Sequence, residues 1–367
     1  MHLGKCKLDE GLELSQREKN SMSKDNKKKI FNFCFIAFSS LILIYILMKS
    51  SDISSIYDVL KHIKLRYILI AVGCLFMFWL LEAYMIFKLI LKFTDKKSSF
   101  ATFWLAIKTT LVGQYYSNIT PSSSGGQPVQ LYIMKDENVP LSEGTAILVE
   151  KFLLFQVGVT IYSLALAIFK LKTLIGFSNS ATWFVMIGLV VNVVMILSIW
   201  LISIKPKLIK RIVEFIIDFL AKCRIIKDSN NAKNGLEGFI ENYENCIKKM
   251  KNNKTLTIKL FALTFVQLTL FFSITFFIYK SFNLSGSGIF EIICLQAFVY
   301  MSVSFVPIPG TIGASEVGFM LLLGNVFSKN IIGAAILLWR GISYYFSLVF
   351  SGIFVILISI FKKYKPI

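Results

Sequence analysis

Two stretches of this chain bring hydroxyls, amides, prolines and glycines into otherwise apolar, membrane-length sequence. The first runs Asn118-Ile-Thr-Pro-Ser-Ser-Ser-Gly-Gly-Gln-Pro128 and the second Pro307-Ile-Pro-Gly-Thr-Ile-Gly-Ala-Ser-Glu316. Within the first, Asn118, Pro121, Ser122, Ser124, Gly125, Gly126 and Gln127 are candidate ligand-binding residues. Glycines let backbone N–H groups converge on an anion, and a helix starting near Pro128 would add the positive end of its dipole. A phosphate headgroup suits such a nest; the plainer alternative is a solvated turn capped by serines. The second stretch offers Pro309, Gly310, Gly313 and Glu316. Hydrocarbon tolerates broken backbone only where it is buried in protein or lines a water-filled cavity, because unpaired N–H and C=O groups there are costly. Interrupted segments at corresponding places in two halves mark the binding sites of many transporters.

Ionisable residues inside apolar runs are the other source of chemistry. Glu316 opens the apolar stretch 317–323, where a carboxylate costs about 2.5–3.5 kcal/mol near a helix centre on insertion scales. Glu82, Lys88, Lys108, Glu150, Lys151, Lys259, Glu291 and Arg340 are the other candidates. Lys88 and Lys259 lie near span ends and can snorkel. Glu150, Lys151, Glu316 and Arg340 are the informative set, because intramembrane charges pair or face a cavity. The pair expected is Glu316 with Arg340, or Glu150 with Arg340. Either a structural salt bridge or a headgroup or ion site would account for them.

Other chemistry has no visible support. The six cysteines include no Cys-x-x-Cys pair, and the two histidines, His2 and His62, belong to no metal motif. No Walker loop, EF-hand or His-Glu-x-x-His pattern occurs. No catalytic residue, metal or cofactor is expected.

The elements that must position these residues are membrane helices. Apolar residues make up 55% of the chain and charged residues only 17%, which excludes an ordinary soluble domain. Clear spans are read at 30–48, 67–91, 144–169, 182–204, 257–279 and 331–361, with broken regions at 100–134 and 289–327. The expected fold is all-α: a polytopic integral membrane protein with about six full transmembrane helices and two broken, re-entrant hairpins, related as an inverted repeat. The return leg 129–134 is too short to cross, which favours re-entrance for the first hairpin. For the second, re-entrance and full crossing both remain open.

If each hairpin enters and leaves on one side, that arrangement puts 27 Lys/Arg on one face and eight on the other. The positive-inside rule then places both termini in the cytoplasm of a plasma-membrane protein. The net charge of +19 sits mainly in loops, where anionic lipid accounts for it without nucleic acid. Residues 1–29 read as a polar cytoplasmic tail and 30–361 as the transmembrane domain. Within it, 205–256 reads as a cytoplasmic pair of amphipathic helices; 362–367 forms the C-terminal tail. Met22 is an alternative start.

The Asn-x-x-Pro and Gly-Gly-Gln of 118–127, Glu150-Lys151, the Pro-x-Pro-Gly-x-x-Gly-x-x-Glu run of 307–316 and the late Arg340 occur in this order. Together they resemble the lysylphosphatidylglycerol synthase transmembrane (flippase-like) family, from about residue 30 to 360. The resemblance implies that Asn118, Pro121, Gly126, Gln127, Glu150, Pro309, Gly313, Glu316 and Arg340 belong to a shared translocation core. Lys151 departs from the Arg often found after the Glu, which weakens the case for bidentate phosphate contact there. Family members occur alone or fused to a cytosolic domain that makes aminoacylated phosphatidylglycerol. The sequence ends at Ile367, so a stand-alone member without the synthase domain is expected.

The function expected is translocation of a polar-headgroup lipid, aminoacyl-phosphatidylglycerol or a polyprenyl-phosphate lipid, between leaflets. Its partner would be a membrane phospholipid with an anionic or aminoacylated headgroup. The alternatives are a phosphatidylglycerol lysyltransferase, by family membership, and a membrane scaffold for a separate cytosolic synthase. A homo-oligomer is also open.

Overall fold

The structure, a computed structural model, describes residues 61–169, 179–204, 253–304 and 306–363, with isolated positions between 205 and 252. The polar tail 1–29, the span expected at 30–48, most of the amphipathic pair in 205–256 and most of the tail 362–367 lie outside the described residues.

Ten helices are described: α1 (Leu65–Phe93), α2 (Phe100–Ile119), α3 (Gly126–Asp136), α4 (Leu141–Phe169), α5 (Asn179–Ile204), α6 (Lys254–Ser281), α7 (Ile289–Val303), α8 (Ala314–Leu323), α9 (Lys329–Arg340) and α10 (Ser347–Lys363). A π-helical segment, Gly341–Phe346, joins the last two. Among the described residues there is no strand. Among the described residues, five helical runs are long and apolar enough to cross a membrane: α1, α4, α5, α6 and α9 through α10. Their ends extend the expected spans by a few residues. Side chains fix several ends. Ser99 accepts a hydrogen bond from the Thr102 amide at the start of α2, and Asn253 accepts one from Leu256 at the start of α6.

Neither leg of the second hairpin can cross alone. α7 has 15 residues and α8 has 10, whereas a hydrocarbon core needs about 20. The first hairpin differs: α2 has 20 residues, enough to cross, but its return leg α3 has 11. Both are broken hairpins, as expected.

The two halves repeat. Pro121 and Pro309 lie 188 positions apart, as do Leu141 and Lys329, and Leu65 and Lys254 lie 189 apart. Each half runs long helix, hairpin leg, proline turn, short leg, long helix. The turns share one backbone trace. Proline forces its predecessor to be extended, and Thr120 (φ −117, ψ 147) and Ile308 (φ −120, ψ 131) obey. Two left-handed residues follow the proline: Ser122 and Ser123 (φ 49 and 56) in the first turn, Gly310 and Thr311 (φ 60 and 51) in the second.

The repeat is inverted. The opening helices α1 and α6 pack antiparallel along their lengths: the Lys64 amide donates to Ser281 O at 2.9 Å, Gln267 Nε2 to Phe78 O at 3.3 Å, and Thr264 Oγ1 to Met85 Sδ at 3.6 Å. Each hairpin's first leg then crosses to the other half's closing helix. Trp104 of α2 meets Phe354 of α10 at 5.8 Å between ring centroids, and Tyr300 of α7 meets Phe155 of α4 at 6.1 Å. Apolar side chains such as Leu69, Met77, Trp183, Ile187, Val194 and Ile356 face outward, as lipid-facing helices require.

Candidate functional site

The two proline turns lie against one another. Tyr344, in the π-helical segment, links them. Its hydroxyl donates to Asn118 O at 3.2 Å, while its ring packs so closely on Gly310 that a Cβ there would come within 2.4 Å of it. Gly310 is therefore doubly constrained, by its positive φ and by the ring. Asn118 is buried and donates from Nδ2 to Ser347 Oγ at 3.2 Å, and its Oδ1 accepts from Gln114 Nε2 at 3.1 Å.

A buried ion pair completes this junction. Arg340 Nε donates to Glu316 Oε1 at 2.5 Å, and Arg340 Nη2 donates to Gly310 O at 2.9 Å. The other carboxylate oxygen, Oε2, accepts the Gly313 amide at 2.6 Å. Glu316 is 1% exposed and Arg340 5%. Local structure explains both positions. Gly313 adopts φ 86, which ends the turn and starts α8, and Glu316 in the first turn of that helix meets the positive dipole end. Arg340 ends α9 as the hydrogen bonding changes to π, a distortion common at functional sites. The Glu316–Arg340 pair is made; Glu150 does not pair with Arg340.

The first break departs from the expected nest. The amide of Ser123 donates to Thr120 O, that of Ser124 to Pro121 O, and that of Gly125 to Thr120 Oγ1. These three N–H groups are turned into the loop, so they do not converge on an outside anion. Ser122, Ser124 and Gln127 are exposed. The left-handed residues are serines, while Gly125 keeps an ordinary right-handed helical φ of −79. Gly126 serves packing. A Cβ there would lie 1.9 Å from Ser117 Oγ and 2.9 Å from Gly113 O, and one at Gly113 would meet Gln130 at 2.3 Å. The legs α2 and α3 touch through this glycine pair.

The remaining charges sit apart from the junction. Lys151 pairs with Glu82 of α1, so its ammonium is engaged within the bundle. Lys108 pairs with Glu137 and ties α2 to the end of α3. Glu150 is 1% exposed and faces α1 and α6, where Thr257 Oγ1 donates to its Oε1 at 3.4 Å and Lys92 acts on it electrostatically. Sequence reasoning passed over Lys92, Glu82's partnership and Tyr344. It also missed Asn192, whose Nδ2 donates to Met301 O at 2.7 Å and to Gly188 O at 3.0 Å. Lys92 and Asn192 carried the same signal as the chosen residues, a polar group in an apolar run.

Among the described residues no three His, Cys, Asp or Glu side chains group as metal ligands. What the junction offers is a guanidinium with donors beyond the two in use, next to a backbone that changes direction in both halves. A guanidinium of this kind can take phosphate oxygens in a fork.

The sequence model of a family described as "Lysylphosphatidylglycerol synthase TM region" matches residues 33–351. The chain is also similar to a protein of Archaeoglobus fulgidus named "UPF0104 membrane protein". The two are 24% identical over 316 residues, 86% of this chain and 93% of that one.

Proposed function

The chain belongs to the lysylphosphatidylglycerol synthase TM region family, and from that membership and the junction geometry we propose that it translocates a polar-headgroup lipid between membrane leaflets. The observation that carries this reading is the meeting of two opposed proline turns at a buried, ion-paired junction. In inverted-repeat transporters the substrate site lies where the broken elements of the two halves face each other. The headgroup would enter between the turns, and its phosphate would compete with Glu316 for the Arg340 guanidinium. Gly310 keeps backbone close to that point, and Tyr344 couples it to Asn118 of the first turn. The acyl or prenyl tails would stay in lipid.

The family's description names a lysylphosphatidylglycerol synthase, which makes lysylphosphatidylglycerol the first lipid to try, with phosphatidylglycerol and a polyprenyl phosphate beside it. The test is a leaflet-resolved assay in proteoliposomes, in which a membrane-impermeant reagent reads each headgroup in the outer leaflet. The protein should speed equilibration of one of the three lipids, and Arg340→Gln, matched for folded protein, should remove that gain. No acceleration over protein-free vesicles for any of them would sink the reading.

A further inference from the structure

Three carboxylates lie buried among the described helices, and two of them are firmly held. Glu82 is paired with Lys151, and Glu316 is held by Arg340 and the Gly313 amide. Glu150 is not. Its Oε1 takes one long hydrogen bond, 3.4 Å from Thr257, and among the described residues no protein group bonds to its buried Oε2. The charged group acting on it is Lys92, whose Nζ is itself buried without a hydrogen bond and lies 5.2 Å from the centre of the Phe93 ring.

Among the described residues, no other charged group on the elements packed around Glu150 is paired with it. On α1, Lys88 lies over the Tyr84 and Phe87 rings, 5.3 and 5.8 Å from their centres. On α6, Lys254 and Lys259 are exposed. On α4 itself, Lys151 is taken by Glu82. On α3, Lys135 and Asp136 are exposed and Glu137 is held by Lys108. α5 carries no charged residue, and Glu291 opens α7 beside the turn that ends α6.

We propose that Glu150 is a proton-exchange site: it holds a proton in this conformation and releases it when the Lys92 ammonium closes onto it. An ionised carboxylate removed from water needs both a counter-charge and hydrogen bonds, and neutralisation is the usual outcome where they are missing. A metal cation there would face the ammonium, and an anion would face the carboxylate. A proton removes the charge and needs no room. On release, the proton passes from the Glu150 carboxyl to water, leaving a carboxylate–ammonium pair; uptake reverses both changes. Glu150 stands where the closing helix of the first half meets the opening helices of both halves. Under the translocase reading, on which this consequence alone rests, its charge state would set how tightly the two halves hold together at that end.

The test needs no lipid substrate, so it can fail independently of the translocase reading. Dicyclohexylcarbodiimide reacts with protonated carboxyl groups in apolar surroundings and leaves a stable acylurea that peptide mass mapping locates. Purified full-length protein should be modified at Glu150, with the extent falling as pH rises, and Glu82 and Glu316 should stay unmodified. Lys92→Gln should carry the modification to higher pH, because the cation that favours the carboxylate is gone. As a second readout that does not depend on reagent access, the infrared pH-difference spectrum should contain a protonated-carboxyl band that Glu150→Gln loses. Absence of that band overturns the proposal. So does modification of Glu150 no greater than that of Glu316, or independent of pH.

Discussion

Tyr344 donates its hydroxyl to the backbone carbonyl of Asn118, so one side chain from the second half satisfies the end of a helix in the first. The same ring lies on Gly310. One aromatic residue thus fixes the spacing of the two turns. Removing only the hydroxyl, Tyr344→Phe, keeps the packing and leaves the Asn118 carbonyl without this donor. A loss of about 0.5–1.5 kcal/mol in stability is expected, read by thermal unfolding of the purified protein. An unchanged midpoint would mean that the two turns are held by packing alone.

Glu316 and Arg340 should behave as one unit. Losing one member leaves a buried charge uncompensated, which costs about 3–5 kcal/mol, whereas losing both removes the problem with the pair. The double variant Glu316→Gln with Arg340→Gln is therefore expected to lose less stability than the sum of the two single losses. A double-mutant cycle on unfolding checks this, and strict additivity would show that the two side chains act independently.

Gly126 should tolerate nothing larger than hydrogen. Gly126→Ala drives a methyl into Ser117 Oγ and the Gly113 carbonyl, and overpacking of this kind costs about 1–3 kcal/mol. Ser117→Ala in the same chain should recover part of the loss, since it removes one of the two obstacles. Gln127→Leu, at an exposed position, should leave stability unchanged. Folded yield and thermal midpoint distinguish these variants, and equal behaviour of Gly126→Ala and Gln127→Leu would contradict the close contact of α2 with α3.

The Lys/Arg distribution predicts that the turn after α6 lies outside and the turn after α1 inside. In a cysteine-free background, Ser285→Cys should react with an impermeant maleimide added to intact cells, and Ser98→Cys should not. Both positions are exposed. The opposite pattern would invert the topology.

The parts of this architecture that were legible in sequence are those that punctuate it. Pro121, Pro309 and the glycines beside them mark where apolar helices must break, because the constraint on the residue before proline is local. Glu316 and Arg340 were legible as a pair because each is costly alone in hydrocarbon. The role of Gly126 was not. Its reason is a serine and a carbonyl on the preceding helix, which only the hairpin's closure brings near. Gly125 and Gly126 read as backbone open to an anion, yet the Gly125 amide bonds to Thr120 Oγ1 and Gly126 packs on the preceding helix. Lys92 of α1 acts on Glu150 of α4 only through the packing of the two helices, and no spacing along the chain encodes that approach.

The antiparallel seam of α1 and α6 bears on how such a chain arises. Packing of one element against its own inverted counterpart is the geometry of an isologous dimer, in which the same patch serves both partners. Here the two patches sit on one polypeptide, with α5 supplying a described crossing between the halves. A single half that inserted in the membrane in both orientations would already have possessed this seam before any fusion. Two copies, once joined, are free to differ, and the proline turns do: the first left-handed position after the proline is Ser122 in one half and Gly310 in the other, where the Gly310 carbonyl accepts from Arg340.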